Sequence, residues 1–361
     1  MKRMVLFAAM LSFAACSNVV MPESPIVTAH RGGHIDGLIP ENSMAGIASA
    51  ARFGYGMVEC DPKMTSDSVI VLMHDKTINR TMRLKEGYLP IERPLKVSSL
   101  TFRDLRENYV FASDDPAQRV QIPTLEEFAL ECRRQGMKIM LHSSLPEADR
   151  LVHSIMGEDW VCFTSDRGLC RQMRSEGFGG LVMFSTEDRD LDAVTAILRG
   201  IGEPAGLSTM DKKKPADRQL TPEYVGTLRN SGFSVQSSIF KTPYEVESVH
   251  DGCDYVLSDF YWVPVSGQKP AERWKGPRRL AEGARVEKSF APLDEYGAIS
   301  VKLVFKGRLH VEVCGHVYDF DHEDFDFETI GIRLYGRTPA LILQAAGPVR
   351  FRLASADVYS L

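Results

Sequence analysis

The sequence predicts an α/β barrel of parallel strands and crossover helices, followed by a small all-β domain. Short apolar runs end at polar residues, and helix-compatible segments lie between these runs, which is the order of a parallel α/β sheet. After residue 265 the pattern changes to short β-like runs separated by turn signals such as Gly347-Pro348, which is typical of an antiparallel domain.

The first strand, helix and strand bring polar residues to the strand ends. Residues 25–29 lead into His30, and residues 54–58 lead into Glu59. The alanine-rich residues 43–53 between them are compatible with a helix. Active sites of α/β barrels lie at the C-terminal ends of the strands. The two polar residues are therefore predicted to share one site.

Nine apolar runs are candidates for a barrel of about eight strands, so one run is expected to lie outside the barrel. We expect that run to be residues 69–73, as a hairpin beside the barrel rim. The remaining alternation predicts parallel strands with crossover helices. The other eight candidates are residues 25–29, 54–58, 138–142, 159–164, 180–184, 205–209, 233–238 and 254–258.

The polar groups at the ends of the first three runs suit the cleavage of a phosphodiester. His30 and His74 can pass a proton into and out of a leaving alcohol, because an imidazole titrates near neutral pH. Arg31 can bind a phosphate through two hydrogen bonds. Glu59 and Asp61 are two apart on a strand and point to one face, which suits joint binding of a divalent cation.

The order of these motifs resembles that of the glycerophosphodiester phosphodiesterase family. The resemblance covers residues 25–265 and implies a TIM (β/α)8 barrel with a metal-dependent site at its C-terminal face. The motifs that carry it are His30-Arg31-Gly32, Pro40-Glu41-Asn42-Ser43, Glu59-Cys60-Asp61, Thr65-x-Asp67 and His74-Asp75-x-Thr77-x-x-Arg80-Thr81.

The resemblance implies a phosphoric diester hydrolase that releases an alcohol and glycerol 3-phosphate from a glycerophosphodiester. A divalent cation, Mg²⁺ or Ca²⁺, would sit on Glu59 and Asp61 and bind phosphate oxygens, and Arg31 would share in neutralising charge. His30 and His74 would be the acid and base, in either order. The supporting residues implied in the same way are Glu41 and Asn42.

One departure from the family pattern concerns the strand at residues 138–142. Family members carry Glu-x-Lys there, whereas this chain has His142 and Ser144 in those places. His142 as a ligand would favour Mn²⁺ or Zn²⁺ over the harder ions. The alternative is that His142 only forms hydrogen bonds in the barrel mouth. The change would mark an altered substrate, an altered metal or a lost activity.

The N-terminus predicts export of the protein and a lipid anchor. Residues 1–16 have the charge, the short apolar run and the small residues before Cys16 that resemble a bacterial lipoprotein signal. Lipidated Cys16 would then hold the protein in the cell envelope, in the periplasm or at the outer membrane, through a linker at residues 17–24. The alternative is an ordinary secretory cleavage nearby.

The composition is that of a globular protein without a nucleic-acid partner. The 361 residues are 44% hydrophobic and 25% charged, and the formal net charge is −5. Nucleic-acid binding needs a basic surface, which this charge argues against. The cysteines lack the spacing of a zinc site. Cys162 and Cys170 are one conceivable disulfide pair, although several cysteines are expected to stay as buried thiols.

The last part of the chain predicts a linker and a second domain. Residues 266–280 are expected to be the linker, and residues 281–361 are expected to form a β-rich, sandwich-like accessory domain. This domain would contact a glycan or merely support the barrel. The acidic residues 319–326 lack the periodicity of an EF-hand loop, so a solvated acidic hairpin is favoured over a Ca²⁺ site.

Two other functions fit the same residues. A catalytically weakened barrel would bind envelope phosphodiesters or glycans, with the β-domain as the main recognition unit. A phosphodiesterase could also act on an inositol or glycan phosphodiester instead.

Overall fold

The computed structural model describes residues 25–35, 37–210, 220–240, 252–259 and 269–360. Residues 1–24, which include the predicted signal, Cys16 and the first linker, lie outside the described residues. In the described ranges, no helix has both the length and the apolar character to cross a membrane.

Twelve strands precede residue 260 in the described part of the chain, and eight of them close into a parallel barrel. The strands are β1 (Ile26–Ala29), β2 (Met57–Cys60), β3 (Pro62–Met64), β4 (Ile70–Leu72), β5 (Met82–Leu84), β6 (Tyr109–Phe111), β7 (Lys138–His142), β8 (Trp160–Thr164), β9 (Val182–Ser185), β10 (Ala205–Met210), β11 (Ser234–Phe240) and β12 (Tyr255–Ser258).

The barrel has the strand order β1, β12, β11, β10, β9, β8, β7 and β2. This closed ring of parallel strands confirms the predicted TIM barrel. The run at residues 69–73 lies outside the ring, because β4 pairs with β3 in an antiparallel hairpin. The prediction that residues 69–73 lie outside the barrel is therefore confirmed.

Each barrel strand has one face toward the helices and one toward the barrel interior. On β2, Val58 packs in the main core between strands and helices, whereas Met57 joins an inner cluster with Met140 of β7. Since side chains alternate along a strand, Glu59 points inward on β2 and His142 points inward on β7. This alternation decides which residues reach the barrel mouth.

Seven helices flank the described strands. Helix α1 begins at a capped turn, because the Ser43 side chain accepts a hydrogen bond from the Gly46 N–H, as the sequence predicts for an N-cap. The helices are α1 (Met44–Arg52), α2 (Phe102–Asn108), α3 (Leu125–Gln135), α4 (Pro146–Met156), α5 (Arg167–Ser175), α6 (Leu191–Ile201) and α7 (Pro222–Asn230).

The chain leaves the barrel between β2 and β7 and forms a small excursion. Its hairpins, β3 with β4 and β5 with β6, are antiparallel. A separate apolar cluster that includes Val71, Ile78, Met82 and Phe111 holds it together. The excursion therefore has its own core and carries His74 at the end of β4 toward the barrel.

The C-terminal part is a seven-stranded antiparallel sheet with its own apolar core. Strand β16 is its centre: β17 pairs along one edge, and β19 and then β18 pair along the other. The strands are β13 (Glu272–Lys275), β14 (Arg279–Leu280), β15 (Arg285–Ser289), β16 (Tyr296–Val313), β17 (His316–Tyr335), β18 (Ala340–Ala345) and β19 (Val349–Ser360).

A break in register interrupts the pairing of β16 with β17. The register shifts between Phe305 and Gly307, where Gly307 has a φ of 113° and an added Cβ would lie 2.5 Å from the Pro348 carbonyl oxygen. Only glycine fits this close approach. The acidic residues 319–326 lie within strand β17, which forms an antiparallel hairpin with β16.

The sheet also extends into the segment expected to be a linker. β13 and β14 fall within residues 266–280 and both pair with β19. Trp274 packs against the core of the sheet. The alternation of side chains in this short run therefore determines its structure more than its proline and glycine content does. The linker prediction is therefore wrong from Glu272 onward.

The sheet packs directly on the barrel. Ala298 and Tyr359 belong to the same apolar cluster as the barrel helices. Tyr296 meets Phe53 of the segment after α1 edge to face, with ring centroids 5.9 Å apart. The two parts therefore share a core at this contact.

The cysteines of the described ranges are all free thiols. Cys162 and Cys170 are both buried and unbonded, so the conceivable disulfide between them is not formed. Burial raises the pKa of the Cys170 thiol to about 11, which leaves it in the unreactive protonated form.

Candidate active site

The inward faces of β2 and β7 bring three predicted metal ligands together at the barrel mouth. Nδ1 of His142 lies 3.4 Å from Oδ1 of Asp61 and 3.8 Å from Oε1 of Glu59. One ligand atom from each residue falls within 4.8 Å of the others. Glu59 and Asp61 are buried, whereas the His142 side chain is 44% exposed. The three groups could therefore share one ion that enters from the solvent side.

The electrostatics of this cluster favour a cation. Burial and the neighbouring Asp61 charge raise the pKa of Glu59 well above its usual range. Burial would also raise the pKa of Asp61, but the nearby His142 and Asn42 side chains outweigh it and lower the pKa. Two buried carboxylates side by side repel each other. A bound divalent cation would relieve this repulsion, so the donor set fits a metal ion.

Asn42 positions Asp61. Its amide donates a hydrogen bond of 3.0 Å to Asp61 Oδ2, and its carbonyl oxygen accepts one of 3.1 Å from the Asp61 N–H. Asn42 has a φ of 56°, a left-handed conformation that asparagine tolerates better than most residues. The predicted supporting place of Asn42 is therefore beside a candidate ligand.

His30 follows β1 and is buried at the barrel mouth. Its Nδ1 forms a short hydrogen bond with the carboxylate of Asp259, which follows β12. Burial lowers the pKa of His30, while Asp259 acts in the opposite direction. Burial would raise the pKa of Asp259, but the bonded His30 brings it to about 2. An ionised Asp259 therefore orients the imidazole through Nδ1, and the other ring nitrogen, Nε2, is the one that would transfer a proton.

Arg31 connects His30 to the metal cluster through its backbone. Its N–H donates a hydrogen bond of 2.7 Å to Glu59 Oε2, and its φ of 48° places it in the left-handed region. Its guanidinium donates a bond of 3.0 Å to Glu41 Oε2. Arg31 is therefore held beside the carboxylates, where a positive charge would meet a phosphate.

His74 belongs to a chain of charged groups on the excursion side of the mouth. Its Nδ1 lies 2.7 Å from Asp75 Oδ1. Asp75 accepts a bond of 2.6 Å from Arg80, and Arg80 also binds Glu41 at 2.6 Å. The Arg80 hydrogen bond lowers the pKa of Asp75 to about 2, so Asp75 stays ionised and orients the His74 ring.

The structure thus brings the predicted site residues of the described ranges to one mouth, and Cys16 lies outside those ranges. Glu41 joins the excursion side to the metal cluster, because it accepts hydrogen bonds from both Arg31 and Arg80. Ser144, which takes the place of the family's lysine, is exposed just beyond β7.

Sequence reasoning gave no role to Asp259 or Arg80. A carboxylate directly after the last barrel strand was a signal for Asp259, since barrel sites gather at strand ends. Arg80 falls within the quoted motif but carried no assignment. Arg333 was also missed: it lies on β17 and donates hydrogen bonds to the carbonyl oxygens of His34 and Asp259. No pattern near Arg333 pointed to the barrel mouth.

The chain resembles several known proteins over part of its length. Glycerophosphodiester phosphodiesterase 1 of Mus musculus is 39% identical over 116 residues, 31% of each protein. The glycerophosphodiester phosphodiesterase of Bacillus subtilis is 28% identical over 121 residues, 32% of this chain and 39% of the relative. The matches to these curated relatives span about a third of their length.

A solved structure shares the barrel fold. The Oleispira antarctica phosphodiesterase in complex with the product sn-glycerol-3-phosphate superposes with a TM-score of 0.55 at 18% identity. The match covers 66% of this chain and 94% of that one. The model of the glycerophosphoryl diester phosphodiesterase family matches residues 30–251, which is more than half of the chain, so the chain belongs to that family.

Proposed function

We propose that this protein hydrolyses a glycerophosphodiester to an alcohol and glycerol 3-phosphate with the help of a divalent cation. The observation that carries the proposal is the cluster of Glu59, Asp61 and His142 at the barrel mouth. His30 and Arg31 lie beside this cluster. The bound product of the O. antarctica phosphodiesterase belongs to the same chemistry.

A cation held by Glu59, Asp61 and His142 would neutralise charge on the phosphate oxygens. The imidazoles of His30 and His74 would each transfer one proton. One takes a proton from water as the water oxygen bonds to phosphorus, and the other gives a proton to the alcohol oxygen as its bond to phosphorus breaks. Arg31 stabilises the extra negative charge at phosphorus. The roles of the two histidines stay interchangeable.

The test is hydrolysis of sn-glycero-3-phosphocholine by the purified protein with Mg²⁺, Ca²⁺, Mn²⁺ or Zn²⁺. We expect turnover with at least one ion, loss of turnover with EDTA and loss by at least about 100-fold in His30→Ala. The matched control is His310→Ala, which removes a histidine bonded to Asp319 at 2.8 Å on the accessory sheet. Equal activity of wild type and His30→Ala would contradict the proposed role of His30.

A weakened barrel that only binds phosphodiesters or glycans is the second candidate. Its support is His142 and Ser144 in place of the family's acid and base. Binding without turnover for a panel of glycerol, inositol and glycan phosphodiesters would favour it. Turnover of an inositol or glycan phosphodiester alone would support the proposed enzymatic activity and change its proposed substrate.

We also propose that Cys16 is lipidated and anchors the protein in a bacterial cell envelope. The support is the sequence pattern before Cys16. Wild type is expected to take up a labelled fatty acid in bacterial cells and to fractionate with membranes. Cys16→Ser should lose the label, and labelling of both proteins would rule out this site.

A further inference from the structure

A cavity of about 290 Å³ lies between the barrel mouth and the accessory sheet. The barrel supplies His34 and Asp259, and β17 with the turn after it supplies residues such as His316, Arg333 and Arg337. This volume is just below the roughly 300–1,000 Å³ range of small-molecule sites. The cavity is therefore built by both parts of the molecule.

The cavity adjoins the proposed catalytic groups. Asp259, one of its lining residues, binds His30 directly. His34 lies with Nδ1 3.2 Å from the His30 carbonyl oxygen, and its ring centroid is 6.3 Å from that of His30. The cavity therefore lies beside His30, on the side of its Nδ1 and of Asp259.

Arg333 fixes the wall of the cavity. It is only 5% exposed and donates hydrogen bonds to the carbonyl oxygens of His34, at 2.7 Å, and of Asp259. Its guanidinium also lies 5.4 Å from the Phe53 ring centroid, within the range of a cation–π contact. The accessory sheet is therefore attached to the two barrel segments that border His30.

Among the described lining residues, fixed positive charges outnumber negative ones. Arg333 and Arg337 carry positive charges, whereas Asp259 carries a negative charge and binds His30. Arg337 Nη2 lies 3.6 Å from Asp114 Oδ2, and its side chain is 46% exposed. That separation exceeds a hydrogen bond, so Arg337 can turn toward a ligand.

We propose that this cavity binds the alcohol part of the phosphodiester and prefers alcohols that carry an anionic group such as a carboxylate. The proposal rests on the proposed function and adds the substrate class. Arg337 is the specificity residue, because it combines a fixed charge with access to the cavity. The accessory sheet then selects the substrate, and the barrel cleaves it.

The test compares two substrates that differ by one carboxylate, sn-glycero-3-phosphoserine and sn-glycero-3-phosphoethanolamine. We expect wild type to have a several-fold higher kcat/KM for the serine compound. Arg337→Gln should lower that value about five- to tenfold by raising KM, and should change the ethanolamine value less than twofold. The control is Arg285→Gln, an exposed arginine on β15 that pairs with Glu287 and does not line the cavity.

A binding measurement separates this proposal from the proposed function. Calorimetry of both compounds with His74→Ala, with and without Arg337→Gln, should show the same preference in Kd. Binding preference without wild-type turnover would overturn the hydrolysis and keep the cavity as an anion-selective ligand site. Turnover without preference, or an equal loss for both compounds in Arg337→Gln, would overturn the cavity assignment alone.

Discussion

At the residue scale, each candidate catalytic histidine has an ionised aspartate on Nδ1. His30 pairs with Asp259 and His74 with Asp75. This arrangement fixes the ring orientation and the tautomer and leaves Nε2 for the substrate. The two pairs come from different elements, one from the ends of β1 and β12 and one from the excursion. Two separately positioned imidazoles suit the acid and base roles of the proposed displacement.

The His30 pair predicts a kinetic effect of Asp259→Asn. We expect kcat/KM to fall roughly 10- to 100-fold, as for other residues that orient a functional group. Because Asp259 raises the pKa of His30, its loss should also move the His30 titration to lower pH. The measurement is the pH profile of kcat/KM. Asp319→Asn, which removes the partner of His310, should change neither the rate nor the profile.

His142 predicts a change of metal preference. His142→Ala should weaken Mn²⁺ binding by at least about tenfold, the effect that even an outer-shell residue has. His142→Glu should shift the preference toward Mg²⁺ and Ca²⁺, because a carboxylate suits hard ions. Calorimetric titration of the metal-free protein measures both. Unchanged Mn²⁺ affinity in His142→Ala would remove His142 from the ligand set, and His153→Ala controls for loss of a histidine elsewhere.

At the element scale, the alternation of side chains along the strands places the site at the barrel mouth. On helix α4, a buried carboxylate makes the packing of the helix depend on pH. Asp149 on α4 is fully buried, and neither of its carboxylate oxygens has a hydrogen-bond partner of good geometry in the described chain. Burial raises the pKa of Asp149 to about 6, and the Cys162 thiol and Ser143 hydroxyl offset burial only in part. Helix α4 therefore packs on the barrel at a cost that depends on pH.

That cost predicts a pH-dependent stability. The folded protein favours the neutral form of Asp149. The contribution of this form to the free energy of unfolding is therefore fully present below the unfolded pKa near 4 and is lost as pH rises through about 6. The loss amounts to about 3 kcal/mol, from a shift of about two pH units. Urea unfolding of Asp149→Asn should show a gain over wild type that grows from pH 5 to pH 7.5. The exposed Asp192→Asn should show no such trend, and a constant difference would refute the assignment.

At the scale of the whole molecule, the accessory sheet completes the mouth of the barrel. Tyr359 and Ala298 share the barrel core, and Arg333 bonds to carbonyl oxygens on both sides of His30. The buried positive charge of Arg333 is compensated by the dipoles of these two carbonyl groups and by the face of the Phe53 ring. The sheet therefore contributes to the stability and the shape of the site together.

This contact predicts the effect of Arg333→Met. Losing hydrogen bonds from a charged donor should lower the free energy of unfolding by about 2–3 kcal/mol and raise KM as the cavity wall loosens. Arg333→Lys should restore part of both. Chemical denaturation and steady-state kinetics measure the effects. Arg350→Met, at an exposed place on the same sheet, is the control, and an equal effect there would argue against a specific contact.

The sequence by itself determined the barrel, the excluded hairpin, the family and the residues of the mouth that lie in local motifs. It could do so because strand alternation and strand-end polar residues such as Glu59 are encoded within a few positions. The tertiary structure alone decided the His30 pair with Asp259, 229 positions away, and the place of Arg333, 299 positions from His34. Such contacts form only when the barrel closes and the sheet packs on it. Both events depend on many weak interactions distributed along the chain. The same reason explains why residues 272–280, taken alone as a linker, fold as strands beside β19.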